Sequence, residues 1–227
     1  MRHHSFTDGD TLARTLAADV AASLRRRLEA HDRASLVVSG GRTPAAFLRE
    51  LGRSPVEWSR IHVTLADERC VVAADAASNL RLVREAFAGT AAAAAPLLEI
   101  DATRADAAAT WSAALQLLPL PFAAVVLGMG DDGHFASLFP GMPGLAAALA
   151  SSGPVSVVRG LAPVEPKARL SMTLAALLTT DLLALHVTGA SKLETLQRAA
   201  SAGSALEMPV RALLEQSRVP LEIYHAP

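Results

Sequence analysis

A single cysteine, Cys70, stands in a chain of 227 residues, so an internal disulfide is impossible and a reducing compartment fits. Charge of one sign is also missing: 21 basic and 22 acidic residues leave a formal net charge of −1. That gives nucleic acid no electrostatic footprint to follow. No uncharged apolar stretch reaches the ~18 residues of a membrane span. The longest candidate, residues 170–187, is broken by Asp181 and dotted with threonines. The opening MRHHSFTDGD is polar and shows no secretory pattern, and His3 and His4 are too short a pair to read as a metal site. A cytoplasmic protein with no nucleic-acid or membrane partner is expected. What the chain does have is apolar mass: 51% of its residues are hydrophobic, ample for a large core.

The most unusual stretch is residues 122–141, FAAVVLGMGDDGHFASLFPG. It opens as a short apolar run between Pro121 and Gly128, the signature of a buried strand. It then turns polar at once: Gly128, Gly130 and Gly133 surround Asp131 and Asp132, and His134 follows. Glycines let a backbone pass close to a ligand or adopt positive φ. One plainer reading is a glycine turn carrying a solvated acidic pair. Another is a dinucleotide site, because residues 128–133 fit G-x-G-x-x-G. That fingerprint needs an acidic residue roughly 20 positions on, and no Asp or Glu occurs between Asp132 and Glu165. Two carboxylates in the loop would also repel a pyrophosphate.

Around this stretch, strands and helices alternate. Leucines and Val20 at every fourth position predict a helix over 10–31, with arginines late in it, where cations suit the helix dipole. A strand over 35–38 runs into Ser39-Gly40-Gly41-Arg42-Thr43-Pro44 and a helix to about residue 51. Thr43 is a good cap and proline suits the first helical position, so the Gly40–Thr43 loop offers free N–H groups to an anion. A strand over 61–66 ends in Asp67-Glu68-Arg69. Continued extension would place Asp67 and Arg69 on one face. Ser78 caps a helix to about 87, with Asn79 beside it. A strand over 97–100, a helix over 105–118, a helix over 144–151 and a strand over 155–158 follow. Arg169 stands alone among apolar neighbours before a helical run to 178; such arginines are usually paired or hold an anion. A strand over 182–188 leads through Gly189-Ala190-Ser191-Lys192 into a helix to about 200. Lys192 is disfavoured at a helix start, which an anionic ligand would explain. A helix over 208–215 and a strand over 221–224 close the chain.

With no repeat and no linker, this order predicts one domain over residues 1–227. Its class is α/β, a Rossmann-like, mostly parallel sheet with helices on both faces. Ligands bind such sheets at the carboxyl ends of the strands, where every polar cluster above falls.

The motifs SGGRTP at 39–44, DER at 67–69, SN at 78–79, LGMGDDGHFASLFPG at 127–141, RLSMT at 169–173 and GASK at 189–192 resemble, in that order, those of the 6-phosphogluconolactonases. The resemblance covers nearly the whole chain. It implies hydrolysis of 6-phospho-D-glucono-1,5-lactone to 6-phosphogluconate in the pentose phosphate pathway, with no cofactor. It also implies a fold similar to glucosamine-6-phosphate deaminase and ribose-5-phosphate isomerase. The deaminases carry Asn-Glu-Pro where this chain has Leu138-Phe139-Pro140, and Phe139 cannot move a proton. Where many relatives have Glu-Ser-Asn, Ala77 replaces the glutamate. Alternatives are a sugar-phosphate isomerase or deaminase, and a sugar-phosphate-binding protein without turnover.

On this reading His134 is the general base for water, since an imidazole titrates near neutrality. Asp132 orients it or binds hydroxyls. Arg69 stabilises the oxyanion or holds substrate, with Gly130 in the glycine loop beside it. Asp67 and Asn79 bind hydroxyls or organise loops. The phosphate meets Gly40, Gly41, Arg42 and Thr43, with Arg169 and Lys192 supplying charge. A serine nucleophile is not expected: G-x-S-x-G is absent and Ser137 falls on an apparent helix. Metal-ligand spacing is absent too. The sequence leaves monomer and homodimer open.

Overall fold

The computed structural model describes residues 1–41 and 44–227. Arg42 and Thr43, and with them the expected cap and loop cation of the first crossover, lie outside the described residues. In chain order the elements are β1 (Arg2–Ser5), α1 (Gly9–Ala30), β2 (Ala34–Val38), α2 (Pro44–Gly52), β3 (Ile61–Leu65), β4 (Asp67–Arg69), α3 (Asn79–Phe87), α4 (Ala107–Leu115), β5 (Ala124–Gly128), α5 (Leu145–Ala148), β6 (Val157–Leu161), β7 (Ala168–Met172), α6 (Leu174–Leu177), β8 (Leu183–Thr188), α7 (Ala190–Ala199), α8 (Val210–Glu215) and β9 (Leu221–Ala226).

Six strands form one parallel sheet in the order β1-β9-β8-β5-β2-β3. All five residues of β2 are buried, as are the first four of β5 and the first five of β8. Alternate side chains point to opposite faces, so burial of consecutive residues means that helices cover both faces. The predicted α/β architecture with a mostly parallel sheet is therefore the observed one. The long helix α1 supplies Leu12, Leu16, Val20 and Leu24 as a continuous buried stripe, and Asp8 caps it by accepting from the Thr11 amide at 2.7 Å.

Three strands leave this pattern. β4, β7 and β6 make a second, antiparallel sheet in the order β4-β7-β6. The chain changes sheet at one residue: the Ala66 amide donates to Val38 in the large sheet, and the Ala66 carbonyl accepts from Met172 in the small one. Short apolar runs do not announce which sheet they join, so the sequence pattern could not separate the two. β1 also escaped the sequence pattern, because it is an edge strand exposed on most of its length and carries no apolar alternation.

Other expectations are corrected. Residues 97–100 form no strand: Leu97 makes a single bridge to Val63, and Pro96 lacks the N–H that would extend a ladder. The helix expected over 144–151 shortens to α5. Ser137 lies in a turn between the bridged residues Phe135 and Leu138, not on a helix. Ala136 beside it takes φ 47°, a left-handed conformation that ends any helix for a residue with a Cβ. Among the described residues no helix is long and apolar enough to cross a membrane.

One buried side chain makes stability depend on pH. His186 of β8 is 3% exposed, lies edge-on to Phe47 at 6.3 Å, and its Nδ1 has no partner among the described residues. Burial, then the nearby Lys192 charge, push its pKa down to about 4. The unfolded chain binds this proton near pH 6.5 and the folded chain only near 4, so stability falls as pH drops through that window. The shift is equivalent to about 3 kcal/mol at its lower end. Thermal melts between pH 7 and pH 4.5 should show Tm falling in the wild type and a flatter acid limb in His186→Gln. Parallel limbs would exclude His186 as the cause.

Candidate functional site

Parallel strands point their carboxyl ends one way, and the loops there enclose a cleft of about 440 Å³. β2 ends in Ser39, Gly40 and Gly41. The small sheet contributes Asp67 and Arg69 from β4 and Arg169 from β7. α3 starts at Asn79, the loop after β5 brings Gly130, Asp131 and His134, and α7 brings Lys192. Gly40, Gly41, Asp67, Arg69, Asn79, Gly130, His134, Arg169 and Lys192, singled out in the sequence, thus share one cavity. Asp132 does not line it; it stands behind His134.

The loop after β5 is folded back on itself. The Gly130 amide donates to the His134 carbonyl at 2.9 Å, and the Gly133 amide to the Gly130 carbonyl at 3.0 Å. This tight turn carries Asp132 and His134 to the same side. The His134 imidazole and the Asp132 carboxylate meet at 2.5 Å through Nδ1 and Oδ1, and the His134 amide donates to the same Oδ1 at 3.1 Å. An ionised carboxylate only accepts, so Nδ1 of the neutral ring carries the proton and Nε2 keeps its lone pair. Burial pushes the Asp132 carboxyl up, but the hydrogen bond from the His134 ring, that ring's charge when it is protonated, and the bond from the His134 amide outweigh burial and hold it below the usual aspartate value. Phe139 packs on the imidazole with ring centroids 4.3 Å apart. In the sequence Phe139 speaks only against deaminase chemistry; its place on the histidine follows from the turn at 135–138.

The small sheet and α7 bring cations to the same cleft. Antiparallel pairing of β4 with β7 sets Arg69 directly across from Arg169. Arg69 donates to the Ala77 carbonyl. Arg169 is 5% exposed, and among the described residues its side chain donates only to the Ala168 carbonyl, at 3.4 Å. Like charges facing each other across a ladder are destabilising. Burial, then the Arg69 charge, press the Arg169 guanidinium below the usual arginine range. An anion between these groups would remove the penalty. Lys192 sits in the first turn of α7, beside Asp131, which is tied to that helix: Ser191 Oγ donates to Asp131 Oδ1 at 2.9 Å and Thr195 Oγ1 to the Asp131 carbonyl at 3.0 Å.

Asp67 is held by a contact that leaves no mark in the local sequence. Ser137 Oγ donates to Asp67 Oδ2 at 2.6 Å, and the Ser137 amide donates to Ser171 Oγ at 3.1 Å. Asn79 Nδ2 donates to the Asp67 carbonyl at 2.8 Å, so Asn79 organises the loop rather than reaching freely into the cleft. Ser39, Asp131, Ser137, Phe139 and Val164 also line the cleft and were not named as site residues. Val164 arrives from the loop joining β6 to β7, which no local pattern ties to this place.

The glycine expectation becomes specific. A Cβ at Gly130 would lie 2.1 Å from His134 Cε1 and 2.2 Å from Nδ1. Gly130 is therefore required by the seat of the imidazole. Gly130→Ala should fold with near-wild-type Tm yet lose at least about 100-fold in turnover, because a displacement near 1 Å at a reacting group has that effect. Unchanged turnover would show that the ring can shift without consequence.

Comparison with known proteins agrees with this geometry. The family model described as glucosamine-6-phosphate isomerases/6-phosphogluconolactonase matches residues 7–221. A 6-phosphogluconolactonase from Rhizobium meliloti is 42% identical over 99% of this chain and 98% of its own. One from Pseudomonas putida is 44% identical over 99% of this chain and 92% of its own. The crystal structure of a 6-phosphogluconolactonase from Shewanella baltica superposes with a TM-score of 0.93 at 34% identity, covering 99% of this chain and 97% of that one. With the strand order, the cleft and the sequence in agreement, the chain belongs to the glucosamine-6-phosphate isomerase/6-phosphogluconolactonase family.

Proposed function

We propose that this protein is a carboxylic ester hydrolase that converts 6-phospho-D-glucono-1,5-lactone to 6-phospho-D-gluconate in the oxidative branch of the pentose phosphate pathway. The observation that supports this reading is one cleft lined by an imidazole paired through Nδ1, with no Nε2 partner among the described residues, and by two guanidiniums set across a ladder from each other. A base and anion-binding groups together suit a phosphorylated ester. The relatives' names supply the substrate.

His134 Nε2 takes a proton from water as its oxygen attacks the lactone carbonyl carbon. Asp132 holds the ring in the productive tautomer and stabilises the imidazolium that forms. Arg69 offsets negative charge on the carbonyl oxygen in the tetrahedral intermediate. The bond between that carbon and the ring oxygen then breaks, and the imidazolium returns its proton to the ring oxygen, which becomes the C5 hydroxyl. Asp67, fixed by Ser137, and Asn79 meet sugar hydroxyls or hold the loops that do. The phosphate lies against Gly40 and Gly41, with Arg169 and Lys192 supplying charge; the contacts expected of Arg42 and Thr43 fall outside the described residues. We read residues 1–227 as one domain acting in the cytoplasm on a small molecule.

Loss of Phe139's counterpart glutamate disfavours the deaminase reading, since Phe139 packs on His134 and transfers no proton. Lactone generated in situ, followed through 6-phosphogluconate with a coupled dehydrogenase and corrected for spontaneous hydrolysis, tests the activity. Acceleration over the blank is expected; ammonia release from glucosamine 6-phosphate in its place would move the assignment to a deaminase. His134→Ala should lower kcat by about 10²–10⁴-fold and leave 6-phosphogluconate affinity within about threefold. Arg169→Ala and Lys192→Ala should each weaken that affinity by about tenfold or more. Equal affinity in both variants would remove the phosphate assignment.

A further inference from the structure

Glu68 lies between two cleft residues and faces away from the cleft. The pleat sends Asp67 and Arg69 to one side of β4 and Glu68 to the other, against Leu65, Leu80, Trp111 and Leu170. A carboxylate is costly in such a place unless its oxygens are bonded. Glu68 is 6% exposed and accepts four hydrogen bonds. Oε1 accepts from the amides of Arg69 and Asn79, each at 2.7 Å. Oε2 accepts from the Leu80 amide at 2.8 Å and from Ser78 Oγ at 3.0 Å. Two of these donors are free amides of the first turn of α3, where negative charge is favoured.

We infer that Glu68 is a positioning residue that sets Arg69 and Asn79 in the cleft. By pinning residues 78–80 it fixes the adjoining Ala77 carbonyl, which accepts from Arg69 Nη1. By taking the Asn79 amide it also fixes the side chain whose Nδ2 holds the Asp67 carbonyl. One buried carboxylate thus joins the strand that bears the charged wall to the helix that braces it. Its action on the reaction rests on the role proposed above for Arg69.

Glu68→Gln tests this. The amide keeps the volume, but its NH₂ faces donors. Hydrogen exchange should accelerate at least tenfold at the Arg69, Asn79 and Leu80 amides and stay unchanged in β5 and β8. Turnover should fall at least tenfold, with a smaller change in KM. Combined with Arg69→Ala, the loss should be much less than the product of the two single losses, because both act through one guanidinium. Should Glu68→Gln fail to fold, Ser78→Ala removes one of the four bonds and should give the same pattern at several-fold. Faster exchange with full turnover per folded molecule, or losses that multiply, would make Glu68 a structural residue only. The two readings fail separately: a wild type that does not accelerate lactone hydrolysis overturns the proposed reaction. The positioning role is judged by amide exchange, which needs no substrate, and unchanged protection in Glu68→Gln overturns it.

Discussion

The pairing of β4 with β7 is the constraint on which the cleft depends. It sets Arg69 across from Arg169, an arrangement that like charges resist and that burial worsens. Nothing in the packing asks for it: an apolar pair at this register would be cheaper. Among the described residues neither guanidinium forms a salt bridge, and each rests on a backbone carbonyl. An anion between the two guanidiniums would relieve the repulsion and meet two forked donors.

That pairing exists because the chain changes sheet at Ala66. Had β3 simply continued, Asp67 to Arg69 would have run on as part of the parallel sheet. Instead the peptide at Ala66 bonds to Val38 on one side and Met172 on the other, so the acidic and basic residues that follow are lifted over the strand ends. The large sheet then supplies the other half of the cleft through the loop after β5. Two sheets of opposite character meet at the mouth of the parallel one, and each brings one kind of group: the imidazole on a tight turn, the cations on a ladder.

Polar contacts, some buried and some exposed, hold these groups in place. Ser137 fixes Asp67, Asp132 fixes His134, and Ser191 and Thr195 fix the Asp131 end of the loop on α7. Each contact joins segments far apart in the chain, except the Asp132–His134 pair, which is local. Such networks specify one arrangement when every member is satisfied. Three buried atoms nearby, His186 Nδ1, Ser39 Oγ and Asn79 Oδ1, have no partner among the described residues, and burial keeps the His186 ring neutral.

Elements with strong local signals were legible in the sequence. The four-residue stripe of α1, the apolar cores of β2, β5 and β8, and the Ser78 cap each follow from spacing and side-chain chemistry that act over one or two turns. The Gly130–His134 loop was legible for the same reason, since its glycines and its acid–histidine pair lie within five residues. The exposed edge strand β1, the single bridge at Leu97 and the antiparallel sheet were not, because strand pairing is a long-range choice that a five-residue run does not encode. By itself the sequence determined which residues carry charge and where the chain must turn, as these depend on covalent chemistry and local backbone freedom. Only the tertiary structure decided that Arg69 faces Arg169, that Ser137 holds Asp67 and that Glu68 turns away from the cleft it supports. Those contacts join residues 10 to 100 positions apart, and register between strands fixes them.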